Sequence, residues 1–299
     1  MSDRTLTVYI KMSVMVLARL TTKCAHYGYM TQPAVRQLWR YPVKSMGGEE
    51  AAELTVGPGN VDGDRAYGFV ETDTGRLVSA KRYGALLQCR ARLLPAAGVE
   101  VTFPDGTTVD DIDELTRRVS ALIGHDVRLV NADDPDAADV VAWGAPETLA
   151  DFAPLHLLAV TDLDRLADEH PESEWDVRRF RPNVLIDDAN PLVGGDGWIG
   201  CDLHLGAEVV AHAVILTPRC VMTTRPQGQL RRDRDILRTL ARARSRVVRA
   251  FGNSPCLGCY AEVVHPGVVR RGDPVRIERV DPRHGVLAKA VDAVAATQN

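Results

Sequence analysis

The residues best suited to chemistry in this sequence are one cysteine and a scattered set of cations. In "LTPRCVMTT" (216–224), Cys220 follows Arg219 at the end of an apolar run. A thiol beside a guanidinium gives up its proton more readily than an isolated one. The resulting thiolate is a nucleophile and a soft metal ligand. The same thiol also reads as a small buried core residue, because free cysteine is among the most buried side chains. The residues alone leave that choice open.

Three further polar groups interrupt apolar segments. They are Lys44-Ser45 after "LWRYPV", Asp64-Arg65 before "AYGFV", and Arg181-Pro182-Asn183 before "VLI". Together with Arg219 they fall at strand ends, where a curled sheet presents residues to a crevice. Arginines and a lysine converging there would suit an anion such as phosphate. Taken singly, each is equally a solvated edge charge. Lysine is scarce, at 11, 23, 44, 81 and 289 only, so Lys44 and Lys81 stand out against a background of arginine.

Cys256 and Cys259 form a CxxC pair. A zinc site would need a second pair, and a thioredoxin-like site would lie between a strand and a helix. This pair precedes the strand-like "YAEVV" in a Gly/Pro context, so it reads as two incidental thiols. No GxSxG, HExxH, Walker loop or GxGxxG after a strand occurs. The Cys-x4-Cys-x2-Cys run of an iron–sulfur module is absent as well.

The bulk properties narrow the classes. The chain has 299 residues, 45% hydrophobic and 25% charged, enough for two domains or one large one. A net charge of -4 argues against a general nucleic-acid binder. Six scattered cysteines are unlike a secreted disulfide framework, and a reducing cytoplasm is the expected compartment. The apolar stretch 6–20 is too short to span a membrane and is broken by Lys11 and Arg19. It also makes a poor signal peptide. Residues 1–32 are expected to be an extension outside the fold.

The elements that must position the polar groups are mostly strands. From Val35 onward, short alternating runs are separated by Gly, Asn and Asp turns. Three helices stand out. One covers 110–123, with Ile112, Leu115, Val119 and Leu122 on one face and Gly124 as C-cap. A second is "TDLDRLADEH", with Thr161 or Asp162 near its N-cap. A third is "RDRDILRTLARARSRV", with Ile236, Leu237, Leu240 and Val247 on one side. The pattern predicts a mainly β protein of barrel type with a few covering helices.

Five strings in fixed order carry a family resemblance: "LWRYPVKSM" (38–46), "GDRAYGFV" (63–70), "FRPNVLID" (180–187), "TPRCVMTT" (217–224) and "HPGVVRRGDPV" (265–275). Over about residues 35–277 the chain resembles the MOSC family (molybdenum cofactor sulfurase C-terminal domain), and within it the amidoxime-reducing members and their bacterial relatives. The resemblance implies an α+β fold: a β-barrel MOSC core over 131–280, a barrel-like N-terminal subdomain over 33–130, and a tail over 281–299. It implies a molybdenum cofactor (Mo-molybdopterin), with Cys220 as metal ligand and catalytic residue. Lys44, Ser45, Arg65, Arg181, Asn183 and Arg219 would surround the pterin and its phosphate.

The implied activity is reduction of small N-hydroxylated substrates: amidoximes, hydroxylamines or N-hydroxy bases. The alternative is a cofactor or sulfur carrier without turnover. Electrons would come from a separate ferredoxin-, flavin- or cytochrome-type protein. Pyridoxal phosphate is not expected, because in the wider family it belongs to a domain with no counterpart here. Three departures bear on the site. Pro218 stands where a serine is common, Asp162 where relatives tend to have a serine, and "TTRPQG" replaces a more acidic loop. An acid beside an anionic cofactor is unfavourable, so Asp162 is expected to cap its helix.

Overall fold

The computed structural model describes residues 32–95, 98–134, 148–188, 194–281 and 285–296. The expected N-terminal extension lies outside the described residues up to position 31. The strands are β1 (Ala34–Arg40), β2 (Glu49–Ala51), β3 (Glu53–Val56), β4 (Tyr67–Glu71), β5 (Arg90–Leu94), β6 (Gly98–Thr102), β7 (Thr108–Val109) and β8 (Val127–Asn131). They continue as β9 (Leu155–Ala159), β10 (Val184–Asp187), β11 (Cys201–Leu205), β12 (Val209–Pro218), β13 (Ser245–Val248), β14 (Gly252–His265), β15 (Gly267–Arg270) and β16 (Val275–Arg279). The α-helices are α1 (Ile112–Ile123), α2 (Val160–Glu169), α3 (Asp235–Ala243) and α4 (Val286–Ala296).

One large sheet runs in the order β16-β11-β12-β14-β9-β10-β1-β2, with β13 joined to β14. Its central pair, β9 and β10, is parallel. Both strands are apolar on both sides, as a parallel pair covered on two faces should be. Leu155, Leu157, Val184 and Ile186 enter the core on one face. Leu158 and Leu185 enter the other, beneath α2 and α3, where Leu163, Leu166, Ile236 and Leu240 meet them. Small sheets β3-β15, β4-β8 and β5-β6-β7 complete the strand set. Phe69, Val101, Leu115 and Val119 pack α1 against the last two.

The expected barrel does not form. The fold is mixed α/β, and among the described residues no sheet closes on itself. Closure would require β1 to pair with β16. The two meet at an isolated bridge, Ala34 to Pro274, with backbone bonds from Val35 N to Asp273 O, from Val275 N to Pro33 O and from Gly272 N to Val35 O. Pro274 lies at the bridge itself, with its carbonyl turned away to accept from Gly206 N at 3.0 Å. Gly272 (φ +91°) turns the chain just before it.

Local expectations fared unevenly. In α1, Asp111 accepts from Glu114 N at 2.9 Å and Gly124 ends the helix at φ +70°, as the capping pattern predicts. Ile112, however, projects from the first turn and is exposed. α3 stops at Ala243, and Val247 lies in β13, 88% exposed. The β-branched "RVV" run takes up strand pairing instead of continuing the helix. Asp162 does not cap α2. It is buried, accepts from Gly195 N at 3.0 Å and pairs with Arg244 at 3.2 Å. Residues 286–296, in the segment expected to be a tail, form α4, which buries Leu287 and Val291.

The CxxC pair lies inside β14 rather than in a loop before it. Cys256 packs in one core cluster and Cys259 in another. Positions three apart on a strand face opposite ways. Burial pushes the Cys256 thiol up to about 11 and the Cys259 thiol higher still, so neither is a ready nucleophile.

Leu157 sits at the centre of the parallel pair, beside Cys259 of β14. Leu157→Ala is expected to cost ~2–5 kcal/mol in urea unfolding. An effect below ~1 kcal/mol would mean that this strand is not the core of the sheet.

Candidate functional site

β1 ends at Arg40, and Pro42 breaks the ladder that follows. The chain then runs beside β4, with Lys44 N bonded to Tyr67 O at 2.8 Å and Tyr67 N to Pro42 O at 3.0 Å. This delivers Lys44 and Ser45. The turn before β4 delivers Arg65, whose N–H reaches Tyr41 O at 2.8 Å. The turn before β10 delivers Arg181 and Asn183, and the end of β12 delivers Arg219 and Cys220. All seven sequence-predicted site residues line one cavity of about 100 Å³.

Ser45 (φ +70°), Arg65 (φ +49°) and Arg181 (φ +55°) are three of the four non-glycine residues with positive φ among those described. Each such conformation costs roughly 1–3 kcal/mol and persists only where its surroundings over-determine it. Here they do. Ser45 Oγ accepts from Ala80 N at 2.9 Å, and Arg181 N donates to Val177 O at 3.1 Å.

The cations are held by separate partners. Lys44 Nζ donates to Leu149 O at 2.6 Å and pairs with the Asp151 carboxylate. Burial lowers its pKa, and Asp151 opposes that shift. Lys81 reaches the other Asp151 oxygen at 3.1 Å. Between the two ammoniums, chiefly through Lys44, Asp151 is held well below the usual carboxylate range. Arg65 pairs with buried Asp64. Arg181 donates to Met46 O, and burial, then the nearby Arg65 charge, lowers its pKa to about 10. Both guanidiniums lie over the Tyr41 ring, at 4.6 and 4.2 Å, a favourable placement for cations.

Arg219 donates from Nη2 to Phe180 O at 2.7 Å, while its buried Nε has no partner. Asn183 works mostly inward. Its Oδ1 accepts from His156 N at 3.1 Å, and its Nδ2 donates to Trp39 O at 3.3 Å, tying β9 to β1. Cys220 is half-buried, at the head of the short 3₁₀ turn Val221–Thr224.

Several lining residues escaped the sequence reading. His156 reads as part of the apolar run "PLHLLAV", yet its Nδ1 lies 3.2 Å from Arg181 O and its Nε2 3.5 Å from Arg219 Nη1. A neutral ring with the proton on Nδ1 satisfies both contacts. Burial, and then Arg219, hold its pKa well below the ordinary value. Arg179, in the same string as Arg181, bonds the carbonyls of Glu174, Thr223, Arg225 and Arg231 and so fixes the turn that carries Cys220. Only its place in "RRFRPN" could have signalled it. Asp151 lies in an acidic, Pro- and Ala-rich stretch whose composition suggests a surface loop. Asp162 does not line the cavity, so its acidity does not bear on an anion there.

The arrangement can bind an oxyanion. Lys44, Arg65, Arg179, Arg181 and Arg219 line the cavity against one carboxylate, Asp151. Its volume is below the ~150 Å³ of a cavity that admits benzene, so it holds a phosphate-sized group, and a larger ligand anchored there must extend beyond it. Among the described residues, no group of three or more His, Cys, Asp or Glu could hold a bare metal ion. No described helix is long and apolar enough to cross a membrane.

Residues 145–276 match the MOSC domain family, and residues 32–143 match the MOSC N-terminal beta barrel domain. "Mitochondrial amidoxime-reducing component 1" of Homo sapiens is 26% identical over 284 residues, covering 81% of this chain and 82% of that protein. "Mitochondrial amidoxime reducing component 2" of Rattus norvegicus is 25% identical over 287 residues, with 81% and 82% covered. "Mitochondrial amidoxime-reducing component 1" of Xenopus laevis is 31% identical over 141 residues, which span 46% of this chain and 38% of that protein. These relatives are named as mitochondrial, which overturns the cytoplasmic expectation. Reduced cysteines report a reducing milieu and do not identify a compartment.

His156 gives the site a pH signature. Its folded pKa is depressed, so on acidification the unfolded chain takes up the proton first. Its contribution to stability is therefore complete above about pH 6.5 and is lost as the pH falls below that. Urea unfolding from about pH 7.5 down to 5 should show wild-type stability falling more steeply than that of His156→Gln. Equal slopes would mean that His156 is not held neutral.

Proposed function

The chain belongs to the MOSC domain family, and on that premise we propose that it is a molybdenum-cofactor oxidoreductase that reduces N-hydroxylated substrates such as amidoximes, hydroxylamines and N-hydroxy bases. One observation carries the reading. Three backbone-strained residues and three further cations line a single cavity together with a half-buried thiol. Strain of this kind collects where geometry serves a ligand.

The donor set fits the cofactor's phosphate end. Lys44, Arg65, Arg181 and Arg219 offer charge-assisted bonds, and the unpartnered Arg219 Nε is a buried donor left for a ligand. Cys220 fits the metal end, because a soft thiolate suits a soft, high-valent metal. When bound, the cofactor would supply two-electron redox chemistry, and the protein would supply binding, orientation and electrostatics. Neutral His156 would orient the Arg219 guanidinium. Arg179 would hold the Cys220 turn in place through four backbone carbonyls. Tyr260, whose phenol burial keeps protonated, would present a proton to the same cavity. Electrons would arrive from a separate ferredoxin-, flavin- or cytochrome-type protein.

Metal analysis and turnover of an aryl amidoxime with reduced methyl viologen test this reading. Wild-type protein should retain molybdenum and turn over. Cys220→Ser exchanges a soft ligand for a hard one at nearly constant volume, so turnover should fall by orders of magnitude while the fold survives. Replacing both Cys256 and Cys259 with serine should leave metal content and turnover near wild type. Molybdenum without turnover would favour the carrier alternative. An active Cys220→Ser beside a dead double variant would move the chemistry elsewhere.

A further inference from the structure

A second cavity, of about 180 Å³, lies beside the first and shares Arg181 with it. Its walls include Trp39, Tyr41, Gln88 and the side-chain-free stretch Gly47-Gly48. We propose that this cavity binds a small aromatic carboxylate. The proposal does not rest on the cofactor reading, because Trp39, Tyr41 and Gln88 do not line the first cavity.

Two observations point to a ligand. Tyr41 is 1% exposed, and its Oη has no hydrogen-bond partner. Gln88 Nε2 is likewise buried and unpartnered. Buried polar atoms are nearly always paired, and two orphans on one cavity call for an occupant. Both can donate. Burial raises the Tyr41 pKa, which keeps its phenol protonated, and the amide nitrogen can only donate. Arg181 adds a cation at the same wall. Three donors, one of them charged, select an acceptor that carries negative charge.

The rest of the cavity selects a flat body. The Tyr41 ring is covered by the Arg65 and Arg181 guanidiniums, so the flat wall is the Trp39 indole, which lies 18° from parallel with it. The indole N–H is already committed to Gln37 Oε1 at 3.1 Å, so Trp39 offers chiefly apolar surface. The volume slightly exceeds the ~150 Å³ that accommodates benzene, which leaves room for one ring and a carboxylate.

Calorimetric titration of the full chain with benzoate tests the proposal, with benzyl alcohol as the uncharged probe. Saturable one-to-one benzoate binding is expected, with benzyl alcohol at least about tenfold weaker. Gln88→Leu should weaken benzoate binding about tenfold without changing the melting temperature, and Tyr41→Phe should do the same. Absence of saturable binding up to about 10 mM would overturn the proposal. Benzoate binding that survives in Gln88→Leu but vanishes in Arg219→Ala would also overturn it, by assigning the anion to the first cavity.

Discussion

Five buried cations in one crevice repel one another and lose their hydration, and the rest of the site is arranged around that cost. Burial opposes the charge on Lys44, Arg65, Arg179, Arg181 and Arg219 alike. A buried charge is tolerated only when it is paired or hydrogen-bonded. Each cation here has a different remedy. Asp64 neutralises Arg65, and Asp151 neutralises Lys44. The carbonyls of Met46 and Phe180 receive Arg181 and Arg219. The Tyr41 ring lies beneath two guanidiniums at once. His156 must stay neutral, because a further positive charge beside Arg219 would have no anion to meet it.

These remedies come from both halves of the chain. Lys44, Ser45 and Arg65 lie in the segment that matches the N-terminal family, whereas Arg181, Arg219 and Cys220 lie in the MOSC segment. The two are joined by strand pairing. β1 runs antiparallel to β10, and the Asn183 side chain bonds Trp39 O on one side and His156 N on the other. Asn183 thus builds the cavity wall more than it faces a ligand. A variant at this position would disturb the register of the sheet along with the cavity.

The cations of the site were legible in the sequence because polar residues at the ends of apolar strands interrupt a regular pattern. Lys44, Arg65, Arg181 and Arg219 all carry that signature. His156 does not. It lies inside an apolar run, and its role depends on neighbours 25 and 63 positions away. Asp151 sits in a segment whose composition reads as loop. The barrel was misread for a different reason. Alternation along each strand reveals strands, but closure depends on β1 pairing with β16, and that pairing stops at a single bridge beside the turning Gly272. Asp162 was misread because a capping preference is local, whereas its partner Arg244 is 82 positions distant.

Arginine dominates this chain, so residue type alone says little about which guanidiniums serve a ligand. The disposition of their N–H groups says more. Arg179 points Nε, Nη1 and Nη2 at backbone carbonyls, which makes it a brace for the Cys220 turn despite its place in the cavity lining. Arg219 sits across the same cavity with one strong carbonyl bond and a buried Nε that nothing in the protein satisfies. A fixed fork with five donors can divide its labour in this way. The protein therefore uses its arginines in two grades. Fully committed ones such as Arg179 brace a turn, and partly committed ones such as Arg219 keep a donor without a protein partner.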